Sequence, residues 1–395
     1  MSIIIPANSA VGGGIEGNSC RFNAGSSDFL NRTFGTPTNN KKYTYSTWVK
    51  RCDSQYNVLF NAGSSRDCLR FRGDNDRLHF FTGEATSAGL ATNRVFRDPS
   101  AFYHIVLAVD TTQGTDTNRV KIYVNGVQET SFAVTNYPAQ NYTNVINSAV
   151  VHRIAHASNS YDEYFAGYMA ETVFIDGTQL APTSFGQFNG DSGVWQPIDV
   201  SGLTFGNNGF YLDFEDSSAL GNDAAGSNNW TTNNLTAIDQ TTDSPTNNFA
   251  TLNSIDNGYG TILFTEGNTR GEGSGSGWKP ARGSMGVSSG KWYWEMNMTG
   301  SNQMGVSNET IDMDNDNSQD LVGVTVFYNA SGGVIRTDGS QVGGTTATFA
   351  ADGSDIAGYA LDMDNKKLSI YKNGSIIVTN TALSTSITDF ALPFF

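Results

Sequence analysis

The chain has 395 residues, with Lys+Arg 23 against Asp+Glu 38, a formal net charge of −15, 43 glycines, 9 prolines and 3 cysteines. At roughly 150 residues per domain this length implies two or three domains, each able to bury a core, and the negative charge removes the electrostatic basis for binding nucleic acid. The excess is local: residues 154–269 carry 14 acids and neither Lys nor Arg, while residues 1–153 are net positive by 4 and residues 270–395 net negative by 5.

Met1–Ala10 holds an apolar run of only Ile3–Ile5 before Pro6, with no preceding positive charge, so it does not read as a signal peptide. Nothing approaches the roughly 20 apolar residues of a membrane-spanning helix, so no membrane insertion is expected. Cys20, Cys52 and Cys68 are odd in number, which predicts reduced thiols and folding in a cytoplasm. His104–Asp110 alternates, with Ile105, Leu107 and Val109 on one side, a period of two that predicts a strand. Arg119–Val124 and Val127–Phe132 flank Asn125-Gly126, whose residues tolerate the positive φ of a hairpin turn.

Further along, residues 206–251 are dominated by Asn, Asp, Gly, Ser and Thr, with Phe210, Leu212, Phe214 and Trp230 as sparse anchors. This reads as an extended connector whose aromatics dock on a neighbouring domain. Gly271–Gly277 reads as a flexible loop. The hairpin device then returns: strands at Ile356–Leu361, Lys367–Lys372 and Ser375–Thr379, the last two joined by Asn373-Gly374. Both copies read Ile-Tyr-x-Asn-Gly, at Ile122–Gly126 and Ile370–Gly374. The expected fold class is therefore all-β, with two antiparallel β-sandwiches joined by a polar acidic connector and helix limited to short turns.

Several segments carry a resemblance. Cys20–Phe22, Tyr43–Lys50, Tyr103–Asp110, Val124–Gly126 and Phe165–Gly177 make the first half similar to laminin G-like, concanavalin A-like sandwiches of jelly-roll type. That family usually has an Asp-Glu pair in the last motif, where Ala170 here precedes Glu171. Gly290–Glu295 (Gly-Lys-Trp-Tyr-Trp-Glu) and Asp355–Gly374 make the second half resemble a SPRY-like sandwich, which implies a further strand beyond Phe395. The combination, with Met1–Ala10 and Asp213–Asn234, is similar to virion proteins of marine tailed bacteriophages. The resemblance implies domains at 1–190 (laminin G-like), 191–250 (connector) and 251–395 (SPRY-like). It implies a non-enzymatic virion component, a tail-fibre or receptor-binding protein contacting host-surface glycans, assembled in the host cytoplasm beside other virion proteins as a homo-oligomer. The alternatives are a capsid decoration or head-fibre protein, and a polysaccharide-degrading enzyme.

Catalytic patterns are sparse. A glycosidase on such a sandwich needs two carboxylates across the sugar, but Glu-x-Asp-x-x-Glu is absent, and Glu171 and Asp176 are five apart, on opposite faces of a strand. His79, His104, His152 and His156 read as ordinary strand and loop residues. Met285 and Trp292 break a phosphate-loop reading of Gly290-Lys291. A Ser-His-Asp triad assembles in space and is open on spacing alone, though no Gly-x-Ser-x-Gly elbow occurs. No cofactor is required.

Calcium is the one metal the pattern admits. Asp312, Asp314, Asp316 and Asp320 place hard oxygen donors at alternate positions, although Asn317 and Gly323 stand where an EF-hand needs Gly and Glu. A solvated acidic loop is the plainer reading. Asp110 and Asp116 flank a turn where laminin G-like domains often hold Ca²⁺, against the plainer role of turn caps. Trp292 and Trp294 fall on one side of a strand and Tyr293 on the other; core packing is preferred over a sugar-stacking platform.

Overall fold

The computed structural model describes residues 17–63, 67–83, 89–158, 162–258, 261–274, 279–299, 302–314, 321–329, 333–343, 348–350 and 352–395. The chain divides into two compact units, Asn8–Asn248 and Phe249–Phe395. Among the described residues the only helical pieces are 3-10 turns of three residues, such as Ala24–Ser26 and Pro182–Ser184. No helix among them is long and apolar enough to cross a membrane.

The first unit is a sandwich of two eight-stranded antiparallel sheets. One runs Val127–Gln128, Val120–Val124, Tyr103–Asp110, Lys42–Arg51, Gly167–Asp176, Ser19–Phe22 and Gln240–Thr241, with Phe210–Leu212 also paired to Gly167–Asp176. The other runs Phe132–Asn136, Gly89–Val95, Arg77–Phe80, Cys68–Phe71, Asn57–Ala62, Val151–Ile154, Phe29–Thr33 and Thr231–Asn233. Alternation sends Tyr43, Tyr45, Val49, Ile105, Leu107 and Val109 inward from the first sheet, where they meet Phe60, Leu69, Phe71, Leu78 and Phe80 from the second. Tyr45 stacks on Phe60 across the gap, centroids 4.7 Å apart. Each such side chain contributes roughly 1.5–3 kcal/mol by leaving water.

The other face of the first sheet is buried too. Val106, Val173 and Ile175 lie under Phe185 and Val200, and Trp48, Tyr168 and Ala170 cluster with Phe102 and Trp195. The strand Gly167–Asp176 contains a bulge: its register with Lys42–Arg51 shifts between Ala170 and Val173, and Glu171 takes φ 47. A bulge inserts one residue and re-aims a side chain.

Residues 191–248, nearly all of the 191–250 segment expected as a connector, belong to this first unit. They supply the strands Phe210–Leu212, Thr231–Asn233 and Gln240–Thr241, and Phe210, Leu212, Phe214, Leu220 and Trp230 enter the core. The polar composition serves turns rather than disorder. Asp223, for example, accepts backbone N–H bonds from Tyr211, Ala225 and Asn228 at 2.9–3.0 Å, which satisfies donors that a tight chain reversal would otherwise orphan.

The second unit has a seven-stranded sheet running Leu252–Asn257, Ala281–Gly283, Leu392–Phe394, Gln303–Ser307, Val324–Tyr328, Val334–Thr337 and Ser340–Gln341. A four-stranded sheet runs Lys291–Thr299, Asp352–Asp362, Lys367–Lys372 and Ser375–Ala382. Between them lie Trp294, Met304, Val306, Phe327, Tyr359, Leu361 and Ile370. Part of the glycine-rich stretch expected as a loop is a strand, since Arg270–Ser274 pairs with Thr261–Thr265.

The repeated Ile-Tyr-x-Asn-Gly behaves identically in both units. Asn125 and Gly126 have φ 48 and 80, and Asn373 and Gly374 have φ 48 and 78, the left-handed pair a type I′ turn requires. Each Asn side chain accepts the backbone N–H of the adjacent strand, from His104 at 2.7 Å and from Ile356 at 2.8 Å. Each Asn N–H donates back to that same residue's carbonyl at 2.9 Å.

Candidate functional site

The densest chemistry in the first unit lies on the outer face of the Lys42–Arg51 and Tyr103–Asp110 strands. Register pairs Trp48 with His104, and their rings stack at 4.6 Å. Trp195, from the Trp195–Pro197 strand, continues the column at 5.9 Å from His104, and Phe188 caps it edge-on at 4.8 Å. Two glycines make room for the Trp195 indole, because a Cβ on Gly126 or Gly186 would sit 2.6 or 2.7 Å from its ring. The column thus leads from the buried sheet to Phe188, which is 56% exposed.

Hydrogen bonds decide the chemistry of this column. His104 Nε2 lies 2.8 Å from Ser46 Oγ, and the Trp195 Nε1–H donates to His104 Nδ1 at 2.9 Å. An indole nitrogen only donates, so Nδ1 is the bare nitrogen and the ring proton sits on Nε2. Nε2–H therefore donates to Ser46, the reverse of what a serine nucleophile needs. Burial also lowers the His104 pKa to about 3, so the ring stays neutral.

Beside this column, Lys50 is fully buried. Its ammonium bonds Asp243 and Asn248, both at 2.9 Å. It also lies 5.9 and 5.6 Å from the Phe102 and Tyr168 ring centroids. This pairing fastens the end of the unit to the sheet.

The second polar centre is the bulge. Glu171 is only 6% exposed and accepts the Tyr211 hydroxyl at 2.5 Å. Burial pushes its pKa up to about 7, and the charges of Asp213, Glu215 and Asp199 add to the rise, outweighing the Tyr211 bond. Asp176 is a different case, because it accepts from Thr38 N, Asn39 N, Asn147 Nδ2 and Asn208 N at 2.7–3.3 Å. One acid is a proton reservoir near neutral pH and the other a saturated structural acceptor, so they do not make a glycosidase pair.

The histidines expected as structural are so placed. His152 Nε2 accepts the Asn147 N–H at 3.1 Å, Nδ1 bonds the Val150 carbonyl at 3.0 Å, and the ring stacks on Phe34. His156 instead pairs with Asp162. The three cysteines are free and buried, and burial raises all three thiols, Cys68 to about 12, leaving them poor nucleophiles.

At the calcium candidates, Asp110 is a turn cap. It accepts from Thr112 N, Thr112 Oγ1 and Gln113 Nε2 at 2.6–3.0 Å and pairs with Lys42 at 3.2 Å. Burial pushes its pKa up, but these partners prevail and hold it below the usual carboxylate value. Asp116 begins a 3-10 turn and accepts the Thr117 N–H. Asp312 accepts the Asp314 N–H at 3.0 Å; Asp316 and Asp320 lie outside the described residues. Among the described residues no three His, Cys, Asp or Glu come together as metal ligands.

Sequence reasoning missed the Ser46–His104–Trp195 contacts because the partners are 58 and 91 residues apart. It missed the raised Glu171 because nothing local announces a bulge.

Residues 24–180 match a laminin G-type family model described as the concanavalin A-like lectin/glucanases superfamily. No curated protein matches the sequence. Among solved structures, one from Bacteroides ovatus, proposed to bind carbohydrate, is 17% identical with TM-score 0.40, covering 57% of this chain and 60% of its own. The chain thus spans three fifths of that protein's length. Domains LG4-5 of the mouse laminin α1 chain are 12% identical over 99% of this chain and 84% of theirs, TM-score 0.33. The human HERC1 SPRY domain is 23% identical over 31% of this chain and 75% of its own, TM-score 0.26.

Proposed function

We propose that this chain is a non-catalytic, lectin-like binding component of a bacteriophage virion, most simply a tail-fibre or receptor-binding protein contacting host-surface glycans. The non-catalytic part is carried by the locked His104: with Trp195 donating to Nδ1, Ser46 faces a donor instead of a base. Support for a glycan partner comes from the concanavalin A-like match over residues 24–180, and for the virion from the resemblance in Met1–Ala10 and Asp213–Asn234. In this reading copies act together as a homo-oligomer, because each contact after the first is intramolecular and weak sites sum to firm attachment. Capsid decoration is the second reading, served by the same rigid sandwiches.

The test is immunolabelling of purified particles with an antibody against this chain. Label on tails supports receptor binding, label over the head supports decoration, and unlabelled particles overturn both. Release of reducing sugar from host polysaccharide by the purified chain would overturn the non-catalytic part.

A further inference from the structure

We propose that the open face of the four-stranded sheet in Phe249–Phe395 is a second ligand site, which stacks a neutral pyranose ring on Tyr293. It uses different residues from the aromatic column of the first unit and stands independently of it. Along Lys291–Thr299, Trp294 and Met296 enter the core, which sends Tyr293 and Glu295 to the opposite face. Glu295 pairs with Gly358, Gly358 with Tyr371, and Tyr371 with Ile376, so these side-chain positions form one row across the sheet. Tyr293 is 39% and Ile376 49% exposed.

The arrangement is a built platform. A Cβ on Gly358 would collide with the Tyr293 hydroxyl and lie 3.0 Å from its Cζ, so the glycine is what lets the phenol lie down on the sheet. The hydroxyl donates to Glu295 Oε1 at 2.7 Å, which pins the ring. Burial and the Glu295 charge push its pKa up to about 12, so the phenol stays neutral. Tyr371 stands against it at 75°, centroids 6.3 Å apart. One ring is a floor and the other a wall.

A pyranose presents a C–H face to such a floor and hydroxyls at its rim, where Glu295 keeps a second carboxylate oxygen as acceptor. Aromatic rings with a polar tip suit a surface that is apolar on one side and wet on the other. An anionic sugar is disfavoured because residues 249–395 carry 15 acids against 8 Lys+Arg, and Lys372, next to Tyr371, is bound to Asp355 at 2.8 Å. The first unit provides an internal contrast. Tyr123 holds in Ile122–Gly126 the place of Tyr371 in Ile370–Gly374, yet it is packed against the cluster of Val106, Phe185 and Val200.

The experiment is affinity electrophoresis of the full chain in native gels containing laminarin, hydroxyethylcellulose or galactomannan, with alginate as the acidic counterpart. Retardation by at least one neutral polysaccharide and not by alginate is expected. Tyr293→Ala should weaken it on the order of tenfold or more, with an unchanged melting curve. Gly358→Ala, which keeps the phenol but lifts it from the sheet, should do the same, whereas Phe188→Ala in the first unit should have no effect. Retardation that survives both Tyr293→Ala and Gly358→Ala, retardation by alginate alone, or none in any gel would overturn the site. Loss in Phe188→Ala only would also overturn it, while leaving the glycan-binding reading of the first unit intact.

Discussion

Glu171→Gln isolates the proton held at the bulge. Burial raises the folded-state pKa of Glu171 from 4.5 to about 7, so between those values the folded chain holds a proton that the unfolded chain has released. Stability from this site is therefore fully present below about pH 4.5 and is lost as pH rises through about 7, a loss of about 3 kcal/mol. Gln is isosteric, still accepts the Tyr211 hydroxyl and does not ionise. The variant should match the parent near pH 4.5 and exceed it at pH 8, by roughly 6–12 °C in the transition of the Asn8–Asn248 unit. Scanning calorimetry at the two pH values reads this directly. His104 and His152, both held near 3 by burial, weaken the fold as pH falls below about 6.5, but they act on both proteins and cancel in the difference. An equal offset at both pH values would refute the reasoning.

Lys50→Ala should cost about 3–5 kcal/mol, because it strands Asp243 without its buried cation; urea denaturation measures this, and adding Asp243→Leu should recover part of the loss. Trp195→Phe keeps the ring but removes the donor to His104 Nδ1, so a cost of about 1–3 kcal/mol is expected, read by the same assay. Calcium at Asp312, Asp314, Asp316 and Asp320, or at Asp110 and Asp116, would add stability by mass action; EDTA would then lower Tm, and an unchanged melting curve leaves solvated loops and turn caps.

The all-β class was legible because period-two runs such as Ile105, Leu107 and Val109 and the two Asn-Gly turns are local signals, and their side chains and dihedrals lie as the pattern requires. The placement of residues 191–250 was not. A strand of three residues such as Thr231–Asn233 has no detectable period, and its Asn and Thr side chains serve an edge position as readily as a loop. Long-range contacts left no local trace either. His104 alternates like any strand residue, and only the fold reveals that Trp195 fixes its tautomer.

Composition also says nothing about which faces stay open, and this is where the two units part. The same Ile-Tyr-x-Asn-Gly hairpin sends Ile122 and Ile370 into their cores and Tyr123 and Tyr371 outward. In the first unit the chain that follows the Gly167–Asp176 strand returns over the outer face, bringing Phe185, Trp195 and Val200 onto it. That covering layer is what buries His104 and holds it neutral. In the second unit no such layer among the described residues covers the outer face: Tyr293 and Ile376 are exposed and Tyr371 is half-buried, while Gly358 lies buried under the Tyr293 phenol. Aromatic side chains on an uncovered sheet face forgo the stabilisation that burial would provide, and a ring pinned there by Glu295 over a glycine is costly to order unless something binds it. Packing accounts for Trp48, His104, Tyr123 and Trp195 on the first unit's outer face, whereas Tyr293 on the second unit's is left for the proposed pyranose to cover.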